Sequence, residues 1–219
     1  MPGFDGQLKR LVQVLGLKIM PIGAKFSETP DRRGIDRRLR ICEAFDVVRR
    51  EKAIVNLSKE SCNCRGGSHI AGWQSLSVEE LSALFLEANV YESKAVAETS
   101  VGKQLKPVYR GRFLILGPLG RFETDPDMVL FFANPAQAEM ILGLACFKGA
   151  EPFVHYPACS VCSTLNNTLG KGKPDVNLIS MFERKRHKWS PDELIVTLPF
   201  TNFIVAVRSL DRSGYGKKA

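Results

Sequence analysis

Apolar residues recur at Leu8, Leu11, Val12 and Leu15 and predict an amphipathic helix over residues 4–16, closed by Gly16. Residues 19–26 read as a strand, with Pro21 marking an edge or a strand start. A polar loop over 28–34 follows. Ile41, Ala44, Phe45 and Val48 then form the apolar stripe of a helix over 36–51, with Cys42 beside the stripe. Residues 53–57 read as a short strand. Ser77 and Glu80 make a capping box for a helix over 76–89, and 91–107 reads as helix then loop. The apolar runs 112–119 and 127–133 read as buried strands. Asn134-Pro135 opens a helix reaching about Phe147. Extended chain at 152–156, a helix over 157–169 carrying Cys159 and Cys162, and a loop over 170–174 come next. Strands over 176–182 and 193–198 and a helix over 201–210 complete the pattern.

Strands alternating with helices predict an α/β or α+β fold, a single domain with a mixed β-sheet flanked by helices. No linker divides the chain. We therefore expect one cysteine-containing domain over 1–210 and a basic, flexible tail over 211–219. The strand–helix unit at 127–147 loosely echoes that at 193–210, as a faint duplication would.

The 219 residues are 44% hydrophobic and 25% charged, an ordinary globular composition. No stretch approaches about 18 consecutive apolar residues, so no membrane span is expected. Residues 1–17 lack the pattern of a signal peptide. A cytoplasmic setting follows as the expectation, and six cysteines there point to thiols or metal ligands rather than disulfides. Asn56-Leu57-Ser58 and Asn166-Asn167-Thr168 then match the glycosylation sequon by chance. The net charge of +8 admits small anionic ligands or nucleic acid without selecting between them. Arginines at 32–40 and the run Glu183-Arg184-Lys185-Arg186-His187-Lys188 are basic, but few aromatics interleave them, which disfavours nucleic acid. That run reads as a solvated face. Gly170-Lys171-Gly172-Lys173 lacks the spacing of a phosphate loop.

The chemistry concentrates in Ser61-Cys62-Asn63-Cys64-Arg65-Gly66-Gly67-Ser68-His69. Cys62 and Cys64 share a side only on extended chain. Gly66-Gly67 allows close backbone approach and a helix start whose amides favour a thiolate. Arg65, Gly66, Gly67 and His69 are therefore candidate substrate-binding residues, and Arg65 with the arginines at 32–40 is expected to hold an anionic substrate. Cys159 and Cys162 share a face at a helix start, as a redox pair or two metal ligands would. The two pairs lie far beyond the about 15–20 residues of a zinc ribbon. Cys146, alone in an apolar helix, reads as structural.

Several blocks, taken in order, resemble an archaeal and bacterial cysteine-rich family of unknown function, the uncharacterised ArCR family. They are Pro21-Ile22-Gly23-Ala24-Lys25-Phe26, Cys42-Glu43-Ala44-Phe45, the segment from Cys64 through Gly66-Gly67 to Gly72, Pro126-Asp127-Met128-Val129-Leu130, Asn134-Pro135-Ala136-Gln137-Ala138, and Ser160-Val161-Cys162. The resemblance implies a fold and a cysteine set, not a reaction. It also implies a fourth cysteine after the Gly-Lys-Pro loop, where Asn177 to Arg184 holds none. The expected metal ligands are thus Cys42, Cys64 and Cys162, with Cys62 or Cys159 completing the set. The leading expectation is a metal or iron–sulfur site, with zinc as the alternative, in a redox or sulfur-related enzyme acting on a small anion. A metal-free thiol enzyme or sulfur carrier, and an anion- or nucleic-acid-binding module with structural cysteines, are the other two readings.

Overall fold

The computed structural model describes residues 5–87, 89–102, 107, 109–155 and 161–216. Helix α1 (Asp5–Val14) leads into β1 (Ile22–Ser27), β2 (Ile35–Asp36), α2 (Ile41–Glu51) and β3 (Val55–Ser58). Three helices follow, α3 (Arg65–Ile70), α4 (Val78–Glu87) and α5 (Lys94–Gly102), before β4 (Phe113–Pro118). The second half runs β5 (Met128–Ala133), α6 (Pro135–Ala145), β6 (Phe153–His155), α7 (Ser163–Lys171), β7 (Asp175–Asn177), α8 (Met181–His187), β8 (Leu194–Pro199) and α9 (Phe200–Ser209).

The eight described strands form one mixed sheet in the order β2-β3-β4-β1-β5-β8-β7-β6. The outer pairs β2/β3 and β6/β7 are parallel and every inner pair is antiparallel. Helices cover both faces, so this is a single α/β domain with a mixed sheet. Strand β5 lies at the centre. Met128, Leu130 and Phe132 face the core under α2 and α7, while Val129, Phe131 and Ala133 face that under α1, α6 and α9. Burial on both faces is why its sequence is apolar throughout rather than alternating.

The strand order repeats about the β1/β5 boundary. Shifting each strand of the first half to its counterpart in the second (β1 to β5, β2 to β6, β3 to β7, β4 to β8) reproduces both the order and the pairing senses. Pro118 pairs with Ile22, the first residue of β1, and Pro199 pairs with Met128, the first residue of β5. Helices α2 and α7 are the crossovers of the two parallel pairs. Each ends on a left-handed residue, Lys52 at φ 54° and Gly172 at φ 62°. The topological repeat thus relates β1–β4 to β5–β8. The strand–helix units at 127–147 and 193–210, which the sequence pattern compares, both lie within the second half.

Several boundaries differ from the sequence reading. Pro21 marks a strand start, directly before Ile22, and that strand is central rather than at an edge. Helix α2 starts at Ile41 rather than 36, because Ile35 and Asp36 pair with β3 and Leu39 bridges Cys62. The strand expected over 176–182 stops at Asn177, whose side chain accepts a hydrogen bond from the Ile179 amide at 2.8 Å, and Ile179 turns left-handed. Helix α8 follows. Helix α7 starts after Cys162, and residues 157–160 lie outside the described set. The expected flexible tail is folded over 211–216: Ser213 is buried and Tyr215 bonds Glu139 of α6.

Candidate functional site

Four elements bring their polar ends together on the α2/α7 face of the sheet. Cys42 sits in the first turn of α2, whose N-cap residue Arg40 donates its amide to Glu43 at 2.7 Å. Cys162 is the N-cap of α7. A constant shift of 120 residues carries Cys42 onto Cys162, Lys52 onto Gly172 and Val55 onto Asp175, so the two cysteines occupy equivalent places in the two halves. Both are buried.

The helix after each third strand adds a second pair. Cys64 caps α3, its thiol accepting the Gly67 amide at 3.4 Å. Ser180 caps α8 in the same way, its hydroxyl accepting the Glu183 amide at 3.3 Å. Helix α2 packs on α8 and α3 on α7, so each contact joins the two halves.

Between them lies a cavity of about 130 Å³ walled by Cys42, Cys64, Cys162, Glu183, Arg40 and Arg186, among others. Gly66 and Gly67 line it, as the sequence suggests. A Cβ on Gly67 would meet the Cys62 sulfur at 3.3 Å, a tight approach that glycine avoids.

The other candidates fall elsewhere. Cys62 does not line the cavity; its thiol reaches the Cys64 carbonyl at 3.6 Å, and burial raises its pKa. Cys159 lies outside the described residues. Arg65 is exposed and paired with Glu80 at 2.6 Å. His69 accepts the Leu76 amide on Nδ1 at 3.0 Å and lines a separate cavity of about 350 Å³ with Leu76, Val101 and Pro107. Burial lowers its pKa. The cations that line the cavity with the cysteines are Arg40, one of the arginines at 32–40, and Arg186.

Two residues of the charge run are the unexpected members. Glu183 and His187 are 4% and 5% exposed, not solvated. They lie one turn apart on α8, facing α2. The imidazole stacks on Trp189 at 4.6 Å. Its Nε2 stands 3.2 Å from Glu183 Oε2, yet neither atom has a hydrogen-bond partner of good geometry. The second carboxylate oxygen, Oε1, takes Arg186 at 3.0 Å. The ligating atoms of Cys42, Glu183 and His187 all lie within 4.8 Å of one another.

Electrostatics follow from this packing. Burial, reinforced by the Glu183 carboxylate, pushes the Cys42 thiol far above its ordinary range, so without a cation it stays protonated. Burial acts to raise Glu183 as well, but His187, Arg186 and the Cys42 thiol outweigh it and hold the carboxyl low. The signal for α8 was present: Ser180-x-x-Glu183 is a helix start, and Glu183 and His187 are four apart.

A family model described as Uncharacterised ArCR matches residues 10–209. The chain belongs to the ArCR family. Searches of curated proteins and of solved structures returned no match. In this ArCR protein the described cysteines are thiols, none of them in a disulfide. Among its described residues no helix is long and apolar enough to cross a membrane.

Proposed function

We propose that this ArCR protein carries a thiolate-ligated metal centre in the cavity between α2, α3, α7 and α8, with Cys42, Cys64 and Cys162 as its cysteine ligands. The observation that carries the reading is the convergence of these three thiols, separated by up to 120 residues, on one small cavity. Buried thiols are most often small apolar residues. Three on one cavity beside a buried carboxylate are not explained by packing alone. A bound cation replaces the Cys42 proton, and metal binding then releases that proton to solvent.

The donor set favours a borderline divalent ion over an iron–sulfur cluster. Clusters are held by four thiolates, whereas the described wall offers three and a carboxylate. Arg40 and Arg186 on the same wall suit a small anionic substrate at the metal, in the role that sequence reasoning gave to Arg65. A redox or sulfur-related reaction on such an anion is consistent with thiolate ligation.

The test is thiol protection. Alkylation of protein purified without oxygen, mapped by mass spectrometry, should spare Cys42, Cys64 and Cys162 until a chelator is added, and modify Cys146 to the same extent with or without chelator. Equal labelling of the three cavity thiols with and without chelator would overturn the reading.

A further inference from the structure

We infer that Glu183 and His187 are metal ligands, and that with Cys42 they form a mononuclear sulfur–oxygen–nitrogen site for a zinc-class divalent cation. The inference deepens the metal reading above and rests on it, because it assigns the ion and the non-cysteine ligands: Glu183 on the cavity wall and His187 beside it.

Buried carboxylate oxygens and imidazole nitrogens are costly unless well-directed hydrogen bonds replace the water they give up. Glu183 Oε2 and His187 Nε2 are buried and face each other at 3.2 Å, but neither has a hydrogen-bond partner of good geometry. Cys42 stands beside them, with all three ligating atoms within 4.8 Å. A divalent cation satisfies the three at once. In tetrahedral zinc sites thiolate, imidazole and carboxylate ligands lie about 2.0–2.3 Å from the ion, which places their donor atoms about 3–4 Å apart, close to the spacing seen here.

The surroundings fit a ligand role. Arg186 holds Glu183 Oε1, which leaves Oε2 as the oxygen for the ion. Trp189 fixes the imidazole plane by stacking, and its own Nε1–H is anchored on Asp46 of α2 at 3.1 Å. Arg50 binds the His187 carbonyl at 3.0 Å, tying α8 to α2. Cys64 and Cys162 line the same cavity as Cys42 and Glu183 and supply the remaining thiolates of the centre.

The bland alternative is a Glu–His ion pair one helical turn apart. It explains the 3.2 Å approach and the Cys42 thiol beside the carboxylate, but it leaves the two facing atoms without a hydrogen bond of good geometry.

Cobalt(II) titration under anaerobic conditions separates the two. The unaltered protein should show thiolate-to-cobalt charge transfer in the near ultraviolet and ligand-field bands in the visible. Cys42→Ser should lose charge-transfer intensity. Glu183→Gln and His187→Gln should each weaken cobalt binding by about tenfold or more and shift the visible bands. Because a buried substitution can disturb folding, X-ray absorption on the zinc-loaded unaltered protein gives an independent reading: a mixed sulfur and nitrogen/oxygen shell is expected. Unchanged affinity and bands in both α8 variants, or a shell of sulfur alone, would leave Glu183 and His187 as an ion pair and overturn the inference while the cysteine centre stands. Absence of any cobalt binding by the unaltered protein would overturn both.

Discussion

Cys42 and Cys162 stand at the same point of two copies of one strand–helix–strand unit, each at the start of its crossover helix and each buried against one shared cavity. Two halves of a sheet that meet along β1 and β5 have brought their equivalent thiols together. The partner positions have diverged: Cys64 caps α3 with sulfur, and Ser180 caps α8 with oxygen. The first half thus supplies two thiols. The second supplies one, together with Glu183 and His187 from the helix that Ser180 starts.

The cysteines should separate by metal content. Cys42→Ala, Cys64→Ala and Cys162→Ala should each lower retained metal by about tenfold or more, read by elemental analysis after dialysis against a weak chelator. Cys146→Ala at the C-cap of α6 and Cys62→Ala, whose sulfur is turned to a backbone carbonyl, should retain it. Loss of metal in the Cys146 variant would point to unfolding rather than ligation.

The C-terminal turns should contribute to stability. A Cβ at Gly143 on α6 would lie 2.3 Å from the Tyr215 ring, so Gly143→Ala must expel that ring or shift the helix. A cost of roughly 1–3 kcal/mol is expected, with faster proteolysis after residue 210. Equal protection of the C-terminus in both proteins would show that Tyr215 is not packed there in solution.

Acid should unmask one loop contact. The Asp31 side chain accepts from Arg33 at 2.8 and 3.0 Å, and these bonds hold its carboxyl below the ordinary value. A depressed carboxyl stabilises the fold above its unfolded pKa of about 3.9, and that stability is lost as pH falls through the folded value. The stability gap between the unaltered protein and Asp31→Asn should therefore be full at neutral pH and close below about pH 4. Chemical denaturation at a series of pH values reads it. A constant gap would contradict the assignment.

What the sequence reveals depends on which physical effect dominates locally. Strand β5 is legible because burial on both faces leaves an unbroken apolar run, and α4 and α6 are legible because capping residues mark their starts. Strands β2 and β6 are too short to show a period. Helix α8 is obscured because Met181 and Phe182 are exposed while Glu183 and His187 are buried, the reverse of the usual pattern. Pairing within the protein, which composition does not register, is what permits that reversal. The same reversal hides half of the site. Cysteine chemistry is visible along the chain, but a glutamate and a histidine inside a run of cations look like surface until the fold turns them inward.

The most direct test of the metal centre is elemental analysis of protein purified without oxygen, with acid-labile sulfide measured on the same sample. We predict about one zinc-class divalent ion per chain, no labile sulfide, and loss of the ion in the Cys42→Ala protein. A folded, metal-free chain that takes up no zinc, cobalt or iron and whose cavity thiols all titrate openly would contradict the account.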